Sequence, residues 1–298
     1  MSGVGAAADG PPTPAGPPLA RVGRALALAG LALAGCSTWE APRFDGPRRL
    51  GGALVPAATL ERGGRAYMKA CRPCHGSGGD GRGPQGVGLD PAPRDLRLGV
   101  VAFGSAPAGS LWRDEDVVRI VRGGLAGTGM RAWDDVSDED LSAIVQFMKT
   151  LAPRFAEEAP EPAVEVSPDP WTDAAAAAAR GRLVYHALGR CQACHPAYAP
   201  PAEIAAMARS AGTAVEPRPD AARPRMVPSD FGRPIAATDF VRDPLRSVRP
   251  GHRTEDLYRA VAAGLGGTGM PTWKGALPEA DLWALVHYLE ALAPASGR

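Results

Sequence analysis

The sequence predicts an all-α protein in which one small helical module is written twice. Three observations predict it. The run DEDVVRIVRGGLAGTGM (114–130) matches TEDLYRAVAAGLGGTGM (254–270) without a gap, and DEDLSAIVQFMKTLAP (138–153) matches EADLWALVHYLEALAP (279–294); such repetition marks a duplicated structural unit. Apolar residues close each copy at helical spacing, Leu141, Ile144, Val145, Met148 and Leu151 in the first and Leu282, Leu285, Val286, Leu289 and Leu292 in the second, as in a helix with one buried face. The stretches that lead up to GTGM in each copy are rich in Gly and Pro and read as loop with short helices. At 298 residues the chain has room for about two domains, each with its own core.

Taken in order, residues 1–36 read as a signal peptide with a lipidation motif. Arg21 and Arg24 precede the apolar run Ala25 to Gly35, shorter than the roughly 20 residues that a spanning helix needs. Leu33-Ala34-Gly35-Cys36 resembles the lipobox of bacterial lipoproteins, in which the Cys is lipidated and becomes the new N-terminus; the alternative is an ordinary secretory signal with an incidental Cys36. Residues 37–55 read as a tether. The first module spans 56–153, with Ser137 and Asp140 placed to cap its closing helix. Residues 154–171 carry one Arg against five acids among several prolines and read as a semi-extended linker. The second module spans 172–298. A helix rich in Ala (Ala174 to Ala179) opens it, and Pro278 suits the first turn of its closing helix. Nothing after residue 36 is apolar for long enough to cross a membrane, so the expected mature protein is soluble in body and held by lipid at one end.

Charge narrows the partners. Lys and Arg number 33 against 32 Asp and Glu, so no global field recommends nucleic acid.

Four of the five cysteines fall in two pentapeptides, Cys71-Arg72-Pro73-Cys74-His75 and Cys191-Gln192-Ala193-Cys194-His195. Both are CxxCH, the pattern for covalent attachment of c-type haem. With five Cys and five His in the chain, chance placement supplies on the order of 0.001 such matches. Each pair of thiols can bond the two haem vinyl carbons, and the adjacent imidazole then becomes the proximal iron ligand. Structural zinc is a poorer reading, because zinc pairs sit about 15 to 20 residues apart and these lie 120 apart. A thioredoxin-type redox pair lacks a surrounding βαβ pattern.

The sixth ligand must come from a segment able to approach the far face of the ring. GTGM ends at Met130 in one copy and at Met270 in the other; Gly permits close approach and a thioether is a soft iron ligand. Met130 and Met270 are therefore the candidate distal ligands, against the alternative of gap-filling core methionines. From His to Met the first copy takes 55 residues and the second 75. The difference of 20 places an insertion at about 198–228, where Met207 and Met226 rival Met270. His186, His252 and His287 read as surface or helix-end residues, and Trp133 and Trp273 as packing beside the haem. Arg122, Arg131 and the arginines of 209–253 are candidates for haem propionate contacts or a docking face, with solvated surface as the default.

Both copies resemble class I c-type cytochromes: a helix with Gly and Tyr before CxxCH, a loop bearing a Met, and a closing amphipathic helix. CRPCHGSGGDGRGP (71–84) is similar to the form common in bacterial respiratory cytochromes. The resemblance covers about 56–153 and 172–296. It implies two tandem cytochrome c domains, two covalently bound haem c groups, and a loop Pro carbonyl, here that of Pro84, accepting the His75 Nδ1 proton. The second copy departs, with CHPAYAPP in place of CHGSGGDGRGP, and offers no obvious equivalent acceptor.

Met/His ligation leaves no open coordination position. The expected function is a periplasm-facing, lipid-anchored dihaem cytochrome in the bacterial cell envelope, with no catalytic residues. It would pass electrons between a donor and an acceptor protein, as a free carrier or as the cytochrome subunit of a respiratory complex such as alternative complex III or a cytochrome oxidase. The alternative is a dihaem redox enzyme of peroxidase or thiosulfate-oxidising type, with one haem used catalytically.

Overall fold

The structure, a computed structural model, describes residues 42–249 and 251–292. The expected signal segment and Cys36 lie outside the described residues. Among those described the architecture is helical, with two minimal antiparallel hairpins: β1 (Arg48–Leu50) with β2 (Ala53–Val55), and β3 (Met226–Val227) with β4 (Ile235–Ala236). No described helix is long and apolar enough to cross a membrane.

In the first copy the helices are α1 (Ala57–Ala70), the short α2 (Arg72–His75), α3 (Asp114–Gly123) and α4 (Asp138–Lys149). α1 packs on α4. Ser137 accepts from the Asp140 N–H at 3.1 Å, capping α4 as expected, while Leu141, Ile144, Val145 and Met148 turn inward against Leu60 and Tyr67. Each fully buried side chain of this size contributes about 1.5–3 kcal/mol, so the core stripe is the main support of the helix pair.

The second copy repeats the design in α5 (Ala174–Leu183), α6 (Pro201–Ser210), α7 (Arg253–Ala263) and α8 (Glu279–Leu292). Asp173 caps α5 by accepting from the Ala175 and Ala176 amides, and the Pro278 carbonyl receives the first amides of α8. α5 packs on α8. The same two devices hold the helix pair in both copies. A Cβ on Gly63 would lie 1.9 Å from the Ala143 carbonyl oxygen, and one on Gly181 would lie 1.9 Å from that of Ala284, so backbone touches backbone at each crossing. One residue earlier, Arg62 pairs with Asp140 at 2.7 Å, and Arg180 grips Asp281 with two bonds of 2.7 and 2.8 Å.

The copies differ in what leads into their cysteines. Two more residues separate Tyr185 from Cys191 than Tyr67 from Cys71. A π-helical turn (Val184–Leu188) and Arg190 at φ 52° take up the extra chain, a common use of such bulges near functional sites.

Residues 48–55, expected to be tether, instead form the β1–β2 hairpin. Leu50 and Val55 are buried with Phe155 in the first core, and the Gly51 N–H donates to the Phe155 carbonyl. The 154–171 segment is extended but packed: Val164 and Val166 lie against the second core, and the Val164 N–H donates to the Ser105 carbonyl. Apolar side chains spaced among its acids and prolines supply these contacts. The extra chain of the second copy forms α6 and the β3–β4 hairpin, and so runs on past residue 228 to Ala236.

Both copies belong to one compact unit and meet reciprocally. Gly123, at the end of α3, faces the Arg249 side chain, while the Ala263 carbonyl at the end of α7 accepts from the Ala108 N–H at 2.8 Å. Gly127 faces Pro244, and Gly266 faces the Val101 carbonyl. At the same junction Asp116 and Asp256 are buried, at 3% and 2% exposure, and held by Arg119 and by Arg249 with Arg259 respectively.

Candidate haem sites

In the first copy α1 ends at the motif, and the Cys71 and His75 amides continue its hydrogen bonding to the Tyr67 and Cys71 carbonyls. The chain then turns out of the helix at Gly76. Tyr67, buried in the core, donates its hydroxyl proton to the Gly76 carbonyl at 2.8 Å, which fixes the exit from His75. In the second copy a 3-10 turn (Cys191–Ala193) presents the thiols, and Tyr185 donates to the Pro196 carbonyl at 2.8 Å. Both tyrosines therefore grip the residue after the motif His, and burial raises the pKa of each phenol, so both remain donors.

The two imidazoles are held alike. His75 Nδ1 lies 3.1 Å from the Arg94 carbonyl oxygen, and His195 Nδ1 lies 2.9 Å from that of Thr238. A carbonyl only accepts, so each Nδ1 carries the proton and each Nε2 keeps its lone pair for a metal. Burial lowers both His pKa values, the carbonyl contact opposing it, which keeps the rings neutral and able to ligate. Phe240 stacks on His195 at 4.8 Å between ring centroids.

The acceptor for His75 is thus Arg94 and not Pro84. Pro84 opens a 3-10 turn (Pro84–Gly86), and the returning segment at Pro93 and Arg94 comes beside the imidazole. Thr238 is the equivalent in the second copy. The two acceptor segments share a local pattern, Arg94-Asp95-Leu96 and Thr238-Asp239-Phe240, with an Asp followed by an apolar residue. Each Asp accepts from the amide two positions on, Arg97 at 2.9 Å and Val241 at 3.1 Å, which turns the preceding carbonyl toward the His.

The thiols of Cys71, Cys74, Cys191 and Cys194 are unpaired. Burial pushes Cys71 and Cys191 up to about 12, so neither is a thiolate nucleophile or a poised redox thiol. No three His, Cys, Asp or Glu side chains gather as a metal-ligand set among the described residues.

The loops carrying Met130 and Met270 have one hydrogen-bond pattern. In each, the Thr of GTGM accepts from the Met N–H, at 3.0 and 3.1 Å, and donates to the Leu three residues earlier, at 2.8 Å in both. The Leu amide in turn donates to the Met carbonyl. Thr128 and Thr268 are loop-setting residues overlooked in reading GTGM for its glycines. Gly129 packs on Leu89, and Gly269 on Val227, so each Met loop rests on the segment following its own CxxCH motif. Trp133 and Trp273 donate backbone N–H groups to the Val121 and Ala262 carbonyls, tying the loops to α3 and α7.

Met207 packs beside Ile204, Ala208 and Val215, and Met226 is 58% exposed. His186, expected at a surface or helix end, is fully buried: its Nδ1 meets the Arg182 carbonyl at 2.8 Å and its Nε2 accepts from the Tyr198 N–H at 3.3 Å, so neither nitrogen is free. The π-helical turn carries it inward. His287 pairs with Asp169 at 2.7 Å, and His252 lies 3.8 Å from Glu255. Arg122 donates to the Trp133 and Val136 carbonyls, and Arg131 lies over the Trp133 ring; both brace the Met130 loop. Two open clefts, of about 560 and 570 Å³, lie around Arg119, Arg249 and His252. They belong to the junction of the copies, and neither is lined by a motif Cys, His or Met.

These residues fit covalently bound haem: two thiols and an oriented imidazole on one turn, and a thioether on a loop of fixed shape, twice over. The family model described as cytochrome C oxidase, cbb3-type, subunit III matches residues 58–148 and 176–289. A solved chain of the Kuenenia stuttgartiensis reducing HAO-like protein complex is 30% identical, with a TM-score of 0.64 over 78% of this chain and 96% of that one. No curated protein matches the chain.

Proposed function

We propose, from the premise that this chain belongs to the cytochrome c oxidase cbb3-type subunit III family and is a c-type cytochrome with covalently bound haem, that it carries two such haems and relays electrons between redox proteins. Haem c supplies the one-electron iron couple. Cys71 and Cys74 anchor the first group and Cys191 and Cys194 the second. His75 and His195 ligate through Nε2, each made more basic by the carbonyl at its Nδ1, and Met130 and Met270 complete the two coordination spheres. The observation that carries this reading is the doubled arrangement, in which carbonyl-held His and Thr-braced Met recur in both copies.

The protein works on the periplasmic side of a bacterial membrane, held by lipid on Cys36, as part of a larger redox complex. The family description names an oxidase subunit and the structural neighbour is a chain of a redox complex; both support redox-protein partners. In this reading residues 56–153 and 172–298 are the two haem domains, joined by 154–171.

Haem counting on the purified protein tests the proposal together with the ferric Met-to-iron charge-transfer band. Two haems per chain are expected, with Met130→His and Met270→His each removing about half of the band. One haem per chain, or a band untouched by either substitution, would overturn it. Turnover of peroxide or thiosulfate at enzymatic rates would overturn the relay role.

A further inference from the structure

The extra chain of the second copy has a role that follows from where it ends. His195 and its acceptor Thr238 are 43 positions apart, against 19 for His75 and Arg94. The added length includes α6 and then the β3–β4 hairpin, whose connection carries Phe231. One face of the Phe231 ring is covered by the first copy: the Arg94 guanidinium carbon lies 3.3 Å from the ring centroid. The ring also meets Gly267 of the GTGM loop, where a Cβ would fall 2.2 Å from the ring's Cζ. Gly267 has φ +70°, so the position excludes a side chain twice over. The Asp230 N–H donates to the Gly267 carbonyl at 3.0 Å, and Val227 of β3 faces Gly269. The same connection reaches the first copy through Arg233, 3.6 Å from Asp90.

One aromatic ring thus lies between the residue whose carbonyl orients His75 and the loop that bears Met270. We propose that Phe231 is a positioning residue for Met270, and that its stack with Arg94 makes ligation at the second haem depend on the docking of the first module. The inference rests on the His/Met reading above. A planar guanidinium on an aromatic face holds the ring in one orientation. The ring in turn limits where the GTGM loop can move. In the first copy the matching glycine, Gly127, faces Pro244 of the second module with no aromatic ring between them, so the ring-mediated contact belongs to the second copy.

The test uses the full-length dihaem protein and reads the ferric Met-to-iron band and both midpoint potentials. Phe231→Ala is expected to lose about half of the band and to lower one potential, because Met/His ligation holds a haem potential up; Phe231→Tyr keeps both. Arg94→Gln leaves the backbone carbonyl at His75 in place, and is expected to weaken the second haem's share of the band although the substitution lies in the first module. Phe231→Ala with an unchanged band and potentials would overturn the proposal. So would an Arg94→Gln effect confined to the first haem, or equal loss at both haems in Phe231→Ala with haem content intact. Failure of the underlying reading looks different: the wild type lacks the band, or Met270→His leaves it unaltered.

Discussion

Gly181→Ala adds one methyl group at the crossing of α5 and α8. The new Cβ would lie 1.9 Å from the Ala284 oxygen and 2.7 Å from the Tyr288 Cβ, where real Cβ contacts stay above 3.0 Å. The helices must therefore part by about 1 Å, and the obstacle is backbone, which no rotamer change can move. Overpacking of a core typically costs about 1–3 kcal/mol, and the rigid neighbour places this site at the upper end. Against it, Ala is favoured over Gly inside a helix by about 1 kcal/mol. The net expectation is destabilisation by about 2 kcal/mol, or a fall in thermal midpoint of about 4–8 °C for a unit of this size. Far-UV circular dichroism of the haem-loaded protein measures it. Gly63→Ala, facing Ala143 at the same 1.9 Å, should behave alike. A rise in midpoint for Gly181→Ala, as an open helical position would give, would refute the argument that close backbone contact dictates glycine here.

Asp256→Asn removes the charge that three Arg249 donors and Arg259 share at the module junction. Breaking such a buried pair costs about 3–5 kcal/mol, with the lower end expected in urea titration because Arg249 keeps some solvent contact. Burial opposes ionisation of Asp256, but the Arg249 bonds outweigh it and its pKa is lowered; its contribution is therefore complete above the usual carboxylate range and lost as pH falls through the lowered value, so the Asn variant should flatten the acid limb of stability. Burial also lowers the pKa of His186 from 6.5. The neutral ring stabilises the fold fully above that pH and progressively less as pH falls, because a proton on Nε2 would oppose the Tyr198 N–H; the pH dependence of urea midpoints should shrink in His186→Gln. Cys36→Ser should move the protein from the membrane to the soluble periplasmic fraction, checked by fractionation, and continued membrane attachment would point to another anchor.

Much of the chemistry was legible in one dimension. CxxCH is a covalent spacing requirement, satisfied within five residues whatever the rest of the chain does. The faces of α4 and α8 follow from helical periodicity, and the buried Leu141, Ile144, Leu282 and Leu285 obey it. Duplication sharpened every local signal, since a residue needed in both copies appears twice, as Met130 and Met270 do.

What could not be read locally is what approaches those elements from elsewhere. Arg94 and Thr238 reach their histidines from 19 and 43 residues away, by loop paths that no periodicity encodes. A two-residue surplus before Cys191 says nothing until it becomes a π-helical turn and buries His186. Residues 48–55 look like tether because three-residue strands are too short to show alternation, and only Phe155, a hundred residues on, makes a core of Leu50 and Val55. The sequence by itself determined the CxxCH and GTGM motifs and the helices beside them, because those depend on neighbours along the chain. Tertiary structure alone decided which carbonyl orients each imidazole and which ring braces the second Met loop, because those contacts exist only once distant segments have been packed together.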